Sequence, residues 1–154
     1  MILKDNGDLF VFGDNSFGQI LLFNKDTCYH FKPTLLMSYS QIKSIYCGKM
    51  DSMILFDEGE LLVFGENACC EMTSNKSMRA PTLLMIDPEI KSIYGGDVSM
   101  VLKNNGELLV FEGDTNDEDD TNDEDEVLKP TLLMKNENIR IFGSEILEIK
   151  WKPE

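Results

Sequence analysis

Gly59-Glu60-Leu61-Leu62-Val63-Phe64-Gly65-Glu66-Asn67 is one of three copies of the same stretch. The first is Gly7-Asp8-Leu9-Phe10-Val11-Phe12-Gly13-Asp14-Asn15, and the third is Gly106-Glu107-Leu108-Leu109-Val110-Phe111-Glu112-Gly113-Asp114. Each opens at a glycine turn, crosses four apolar residues and closes in another turn. Four apolar residues between turn signals make a strand, and their unbroken run predicts burial on both faces. Asp5-Asn6-Gly7, Asp57-Glu58-Gly59 and Asn104-Asn105-Gly106 read as tight hairpin turns into these strands.

Three further pieces recur outward from this stretch. Pro33-Thr34-Leu35-Leu36-Met37 returns at Pro81–Met85 and Pro130–Met134, proline to proline 48 and then 49 residues apart. Ile42-Lys43-Ser44-Ile45-Tyr46 returns as Ile90-Lys91-Ser92-Ile93-Tyr94 and, worn, as Ile139-Arg140-Ile141-Phe142. Ser52-Met53-Ile54-Leu55-Phe56 returns as Ser99-Met100-Val101-Leu102-Lys103, and Met1-Ile2-Leu3-Lys4 matches its latter part. Simple alternation puts Ile42, Ser44 and Tyr46 on one side of their strand, with Lys43 and Ile45 on the other. Pro81 is expected to open its strand, where a missing N–H matters least. No window sustains a helical period. Four strands per unit of about 50 residues are the pattern of propeller blades. The expected class is all-β, a partial, three-blade β-propeller. The chain divides into units 1–41, 42–89 and 90–138 and a closing strand 139–150.

Composition bounds the function. The 154 residues, 42% hydrophobic, suit one domain, 1–154, with a real core. No apolar run approaches the ~20 residues of a membrane helix. Met1-Ile2-Leu3 meets Lys4 and Asp5 at once, so no leader and no membrane association are expected, and the location is cytoplasmic or nuclear. The net charge is −14, and removing the nine acids of residues 114–126 leaves −5. Such a surface repels phosphate backbones, so no direct nucleic-acid binding is expected. Cys28, Cys47, Cys69 and Cys70 form no C-x-x-C pair. Reduced, mostly buried thiols are expected, without a structural zinc site.

The copies resemble the regulator of chromosome condensation repeat family. That family joins a Gly-x-x-His-Ser-x-x-Leu strand, a turn, and a Trp-Gly-x-Asn-x-x-Gly-Gln-Leu loop. Phe12-Gly13-Asp14-Asn15-Ser16-Phe17-Gly18-Gln19-Ile20 follows the loop, with Phe12 in place of Trp. Phe64-Gly65-Glu66-Asn67 follows it for four positions, then departs at Cys69-Cys70; Phe111-Glu112-Gly113 retains little. Gly48-Lys49-Met50-Asp51-Ser52-Met53-Ile54-Leu55 follows the strand, with Asp51 in place of His, and Gly96–Leu102 does so with Val98 there. The resemblance implies a propeller that typically has seven blades, and roles as scaffold, inhibitor, ubiquitin-ligase part, photoreceptor or exchange factor for a Ran-type small GTPase. The photoreceptor role relies on clustered tryptophans, and Trp151 stands alone. No wedge hairpin of the exchange type is present, so no exchange residue is carried over.

Three units do not readily close a propeller. The first unit lacks its Ile-Lys-Ser-Ile strand, while the stretch from Ile139 is a spare copy. One expectation is therefore a homodimer in which that spare strand completes the first blade of a second chain, closing six blades without a free sheet edge. The alternatives are an open three-blade arc, or a chain that packs its own ends together.

Residues 114–126, an acidic loop insertion, duplicate Thr-Asn-Asp-Glu-Asp. The candidate partner-binding residues are Asp114, Asp117, Glu118, Asp119, Asp120, Asp123, Glu124, Asp125 and Glu126, as bait for a basic, histone-like partner; a solvated, self-repelling loop is the plainer alternative. A calcium loop fits less well, because Asp119 stands where such loops carry glycine. Asp8, Glu60 and Glu107 share one repeat position, as turn residues would. His30, between Tyr29 and Phe31, is expected in a variable loop without a nucleophile beside it. Lys43, Lys91 and Arg140 share a position on the solvent side of a strand. No catalytic residue, metal or cofactor is expected. The expected function is a non-enzymatic protein–protein interaction scaffold whose partner is another protein, basic or a small GTPase. The alternative is guanine-nucleotide exchange on a Ran-type small GTPase.

Overall fold

The computed structural model describes residues 1–21, 28–48, 51–65, 81–95, 99–111, 130–136 and 139. Among them the secondary structure is all strand. The first sheet pairs β1 (Ile2–Leu3), β2 (Asp8–Asp14) and β3 (Tyr29–Ser38) in that order. The second holds β4 (Ile42–Cys47), β5 (Asp51–Phe56), β6 (Glu60–Gly65) and β7 (Thr82–Ile86), again in chain order. The third holds β8 (Ile90–Tyr94), β9 (Ser99–Lys103), β10 (Glu107–Phe111) and β11 (Thr131–Lys135). Every pairing is antiparallel. The three Leu/Val/Phe stretches are β2, β6 and β10, and each is paired on both sides.

Each sheet has a forward face, toward the next sheet, and a backward face. In the second sheet Met53, Leu55, Leu61 and Val63 point forward and pack with Ile90, Ile93, Val101, Leu109 and Phe111 of the third. Its backward face offers Ile54 and Phe64, with Leu62, to Leu9 and Leu3 of the first. The forward face of the third sheet carries Met100, Leu102, Leu108 and Val110, with Ile139 packed against them. The continuous apolar runs of β6 and β10 thus serve two cores at once, which is why no polar residue interrupts them. Strands β4 and β8 lie against each other, and the Lys43 ammonium donates to the Ile90 carbonyl at 2.6 Å. Strands β3, β7 and β11 form the periphery.

Bulges recur with the sequence. Pairing of Leu61 with Met85 and of Leu62 with Leu83 leaves Leu84 as an extra residue, and Leu36 and Leu133 are passed over in the same way. A bulge lets neighbours share one side, so Leu84 and Met85 both pack on the core between the second and third sheets. Lys43 and Lys91 are bulged likewise. This corrects the alternation expected for β4: Ile42 and Ile45 share the backward core, whereas Tyr46 packs forward. The extra residue at Lys43 resets the two-residue period between Ile42 and Ser44.

Candidate interaction surface

The two ends of the sheets are built differently. At the hairpin end, Gly7, Gly59 and Gly106 take positive φ values of 84°, 86° and 79°. Each glycine amide donates to the carbonyl three residues earlier, and each glycine carbonyl accepts from the outer strand's end, from Tyr39, Asp87 and Asn136 at 2.9, 3.0 and 2.9 Å. A Cβ on Gly59 would meet the Asp87 carbonyl oxygen at 2.1 Å, so the left-handed backbone and the close approach both demand glycine.

The charged residues here are turn hardware. The Ser38 hydroxyl donates to Asp8 at 2.6 Å, and the Asn6 amide to its other oxygen at 2.8 Å. These bonds, with Lys4 nearby, hold the Asp8 carboxyl below the usual range. Lys135 donates to Glu107 at 3.0 Å and depresses it likewise, helped by Asn105. Asp87 meets the Lys103 ammonium at 2.6 Å; that bond lowers the carboxyl and raises the amine. Asp8 and Glu107 therefore play the structural part expected of their repeat position.

The long connections leave from the opposite end. The β2–β3 connection begins with Asp14, whose Oδ1 accepts from the Ser16 amide and hydroxyl at 2.8 and 2.6 Å. Those bonds hold its pKa down. The Asn15 carboxamide oxygen accepts from the Ile20 amide at 3.0 Å. Gln19 is buried, and its carbonyl accepts from the Ser52 hydroxyl at 2.7 Å, tying this loop to the second sheet. Between the second and third sheets, Gly95 leaves room for the Tyr46 ring, which a Cβ would meet at 2.2 Å.

The candidate acids, Asp114 through Glu126, lie outside the described residues, in the connection between Phe111 and Thr131. The carboxyls of Asp8, Asp14, Asp87 and Glu107 are shifted downward, by bonds that also shape turns, which suits structural anions rather than proton shuttles. His30 is not in a loop: it lies in β3 opposite Gly13, because β3 continues its pairing on the N-terminal side of Pro33. Its Nε2 is buried without a partner. Tyr29 and Phe31 flank it on the exposed side, rings stacked 6.2 Å apart. Cys28 and Cys47 are exposed free thiols, which corrects the expectation of burial for those two; Cys69 and Cys70 lie outside the described residues. No group of three or more metal-ligating side chains occurs among the described residues. No described helix is long and apolar enough to cross a membrane.

The apolar surface is uneven. Leu35, Leu83 and Leu132, one per outer strand, are all about half exposed, so they mark a repeated rim. The first sheet's backward face is different. Phe12 is 39% exposed, whereas its repeat equivalents Phe64 and Phe111 are 0% and 2%. Ile2 is 46% exposed, whereas Ile54 and Val101 are 0% and 1%. Phe10 lies between them, paired with Ile2 and with the Lys4 ammonium 5.4 Å from its ring.

Solved structures share this arrangement. The crystal structure of Kap60 bound to yeast RCC1 (Prp20) matches with a TM-score of 0.62 and 20% identity, over 92% of this chain and 36% of that one. The structure of Prp20p from Saccharomyces cerevisiae, described with its binding to Gsp1p and histones, matches with a TM-score of 0.61 and 22% identity, over 86% and 35%. The fold is of the RCC1 repeat type. The chain spans just over a third of the length of each of these proteins. No protein-family model and no curated protein sequence matches it.

Within an RCC1-type blade the loop motif reads as structure. Asn15 braces the turn, and the carbonyl of Gln19 receives Ser52 of the next blade. Sequence reasoning missed the open face at Ile2, Phe10 and Phe12. The signal was available: apolar residues at two-residue spacing, on the side that in later copies meets the preceding blade.

Proposed function

We propose that the chain is a non-enzymatic protein-interaction scaffold. The observation that carries this is the division of labour between the ends of the blades. The hairpin end is consumed by mutual hydrogen bonds, while the connections leaving the other end are varied in length and sequence. One of them contains the acidic run Asp114–Glu126. Nine carboxylates without a base favour a partner rich in lysine and arginine, such as a histone tail, and Prp20p, of the same fold, is described with histone binding. A nuclear place of action accords with such a partner.

The test compares the full chain with a version in which residues 114–126 are replaced by a short Gly-Ser linker. Recovery of a basic histone-tail peptide should fall at about 0.05 M salt, and the two chains should converge near 1 M, where the Debye length is only ~3 Å. Equal recovery at low salt would end the acidic-bait reading. A second reading, nucleotide exchange on a Ran-type GTPase, is favoured by the description of Prp20p with Gsp1p. Accelerated release of GDP from such a GTPase would establish it in place of a passive scaffold.

A further inference from the structure

We propose that the hairpin end of the second blade, at Glu60 and Ile86, binds a lysine side chain of a partner protein. One position, compared across the three blades, carries this. The backbone bonds of the hairpin ends are alike, but the side chains are not. In the third blade Glu107 stands opposite Lys135 and meets its ammonium at 3.0 Å, while Lys103, four residues earlier, lies 3.9 Å away. Lys103 also reaches Asp87 at 2.6 Å. In the first blade Asp8 stands opposite Ser38, which donates to it, and Lys4, four residues earlier, lies 3.8 Å away. Each of these two carboxylates has a lysine of its own blade.

Glu60 holds the same position in the second blade, and it faces Ile86. Ile86 stands where the third blade has Lys135, and Phe56 where it has Lys103. Tyr39 stands where it has Asp87, as their matching bonds to Gly7 and Gly59 show, and meets the Phe56 ring edge-on at 6.2 Å. The cations have given way to apolar groups while the carboxylate has been kept. Glu60 is exposed and enters no ion pair among the described residues. Beside it, Ile86 is 61% and Tyr39 57% exposed. The second blade has a sheet packed on either face, so this opening at its rim is not the gap of a missing neighbour. What fits it is what fills it in the third blade. A lysine covers apolar surface with its four-carbon stem while its ammonium reaches the anion, and the chain's net charge of −14 favours the approach of a cation. The exposed isoleucine and tyrosine suit a lysine whose own neighbours are apolar. The site lies at the opposite end of the blades from the acidic run and stands apart from that reading.

The experiment follows the backbone amide signals of the isotope-labelled full chain by NMR, at about 0.05 M salt, as acetyl-Leu-Lys-Leu-amide is added. Saturable shifts should appear at Gly59, Glu60 and Ile86. They should persist when residues 114–126 are replaced by a Gly-Ser linker, which separates this site from the acidic run. Glu60→Gln should weaken the binding read there about fivefold, the upper range for one exposed ion pair. Ile86→Lys gives Glu60 the partner that Glu107 has, and should abolish the shifts at Gly59 and Glu60. Both side chains are exposed, and either variant carries the test should the other fail to fold. Acetyl-Leu-Glu-Leu-amide should leave all three signals in place. No saturable shift at these residues overturns the proposal. So do shifts that vanish with the linker replacement, that survive the two substitutions undiminished, or that the glutamate peptide reproduces.

Discussion

At the scale of the residue, the turn glycines and the Asp87–Lys103 pair answer to different physics. Gly59 combines φ +86° with a carbonyl where a Cβ would go, whereas Gly13, at φ +113°, has open space around it. Gly59→Ala should therefore lower stability by more than about 1–2 kcal/mol, the left-handed penalty alone. Gly13→Ala should cost only that conformational term, and urea melts of the two variants would show the ranking. Asp87 is held ionised by Lys103, so its folded pKa lies below its unfolded value. Its contribution is present above the ordinary carboxylate range and is lost as pH falls through the depressed pKa. The stability gap between wild type and Asp87→Asn should accordingly close as acid is added below about pH 4, in denaturant titrations at stepped pH. Lys103 has the opposite sign: its folded pKa is raised, so its share is lost only as pH rises through that value.

At the scale of the element, the blades show what sequence can and cannot disclose. The strands, their order and the hairpin turns were legible, because Gly, Pro and Asn punctuate four-residue apolar runs. The sidedness of β4 was not. Nothing in Ile42-Lys43-Ser44-Ile45-Tyr46 marks Lys43 as the extra residue; the bulge becomes visible only in the pairing with β5. Lys43 also illustrates a half-right reading. It is exposed, as its solvent-side position implied, yet its ammonium reaches Ile90 of the next sheet. Lys43→Met keeps most of the stem and removes that bond, leaving the carbonyl open to water. It should cost about 0.5–1.5 kcal/mol, measurable as a small downward shift of the denaturation midpoint with an unchanged slope. His30 went astray for a related reason: a proline inside β3 looks like its start, yet an edge strand tolerates proline because one side needs no donor.

At the scale of the whole molecule, stability comes from sharing. Val63 and Phe64 are adjacent in one strand but belong to different cores, so β6 couples the first and third sheets. Blades joined this way stand or fall by their junctions, much as stacked repeats do. The three copies made the fold legible, while the open side of the first sheet was signalled only by the spacing of Phe10 and Phe12 and stands out against the burial of their equivalents. The hydrogen bonds from Tyr39, Asp87 and Asn136 to the turn glycines add a further consequence. They lock one rim of every blade without reference to what is threaded between β6 and β7 or between β10 and β11. Foreign peptides grafted into those two connections should leave the framework standing, which makes the array a natural mount for displaying new sequences.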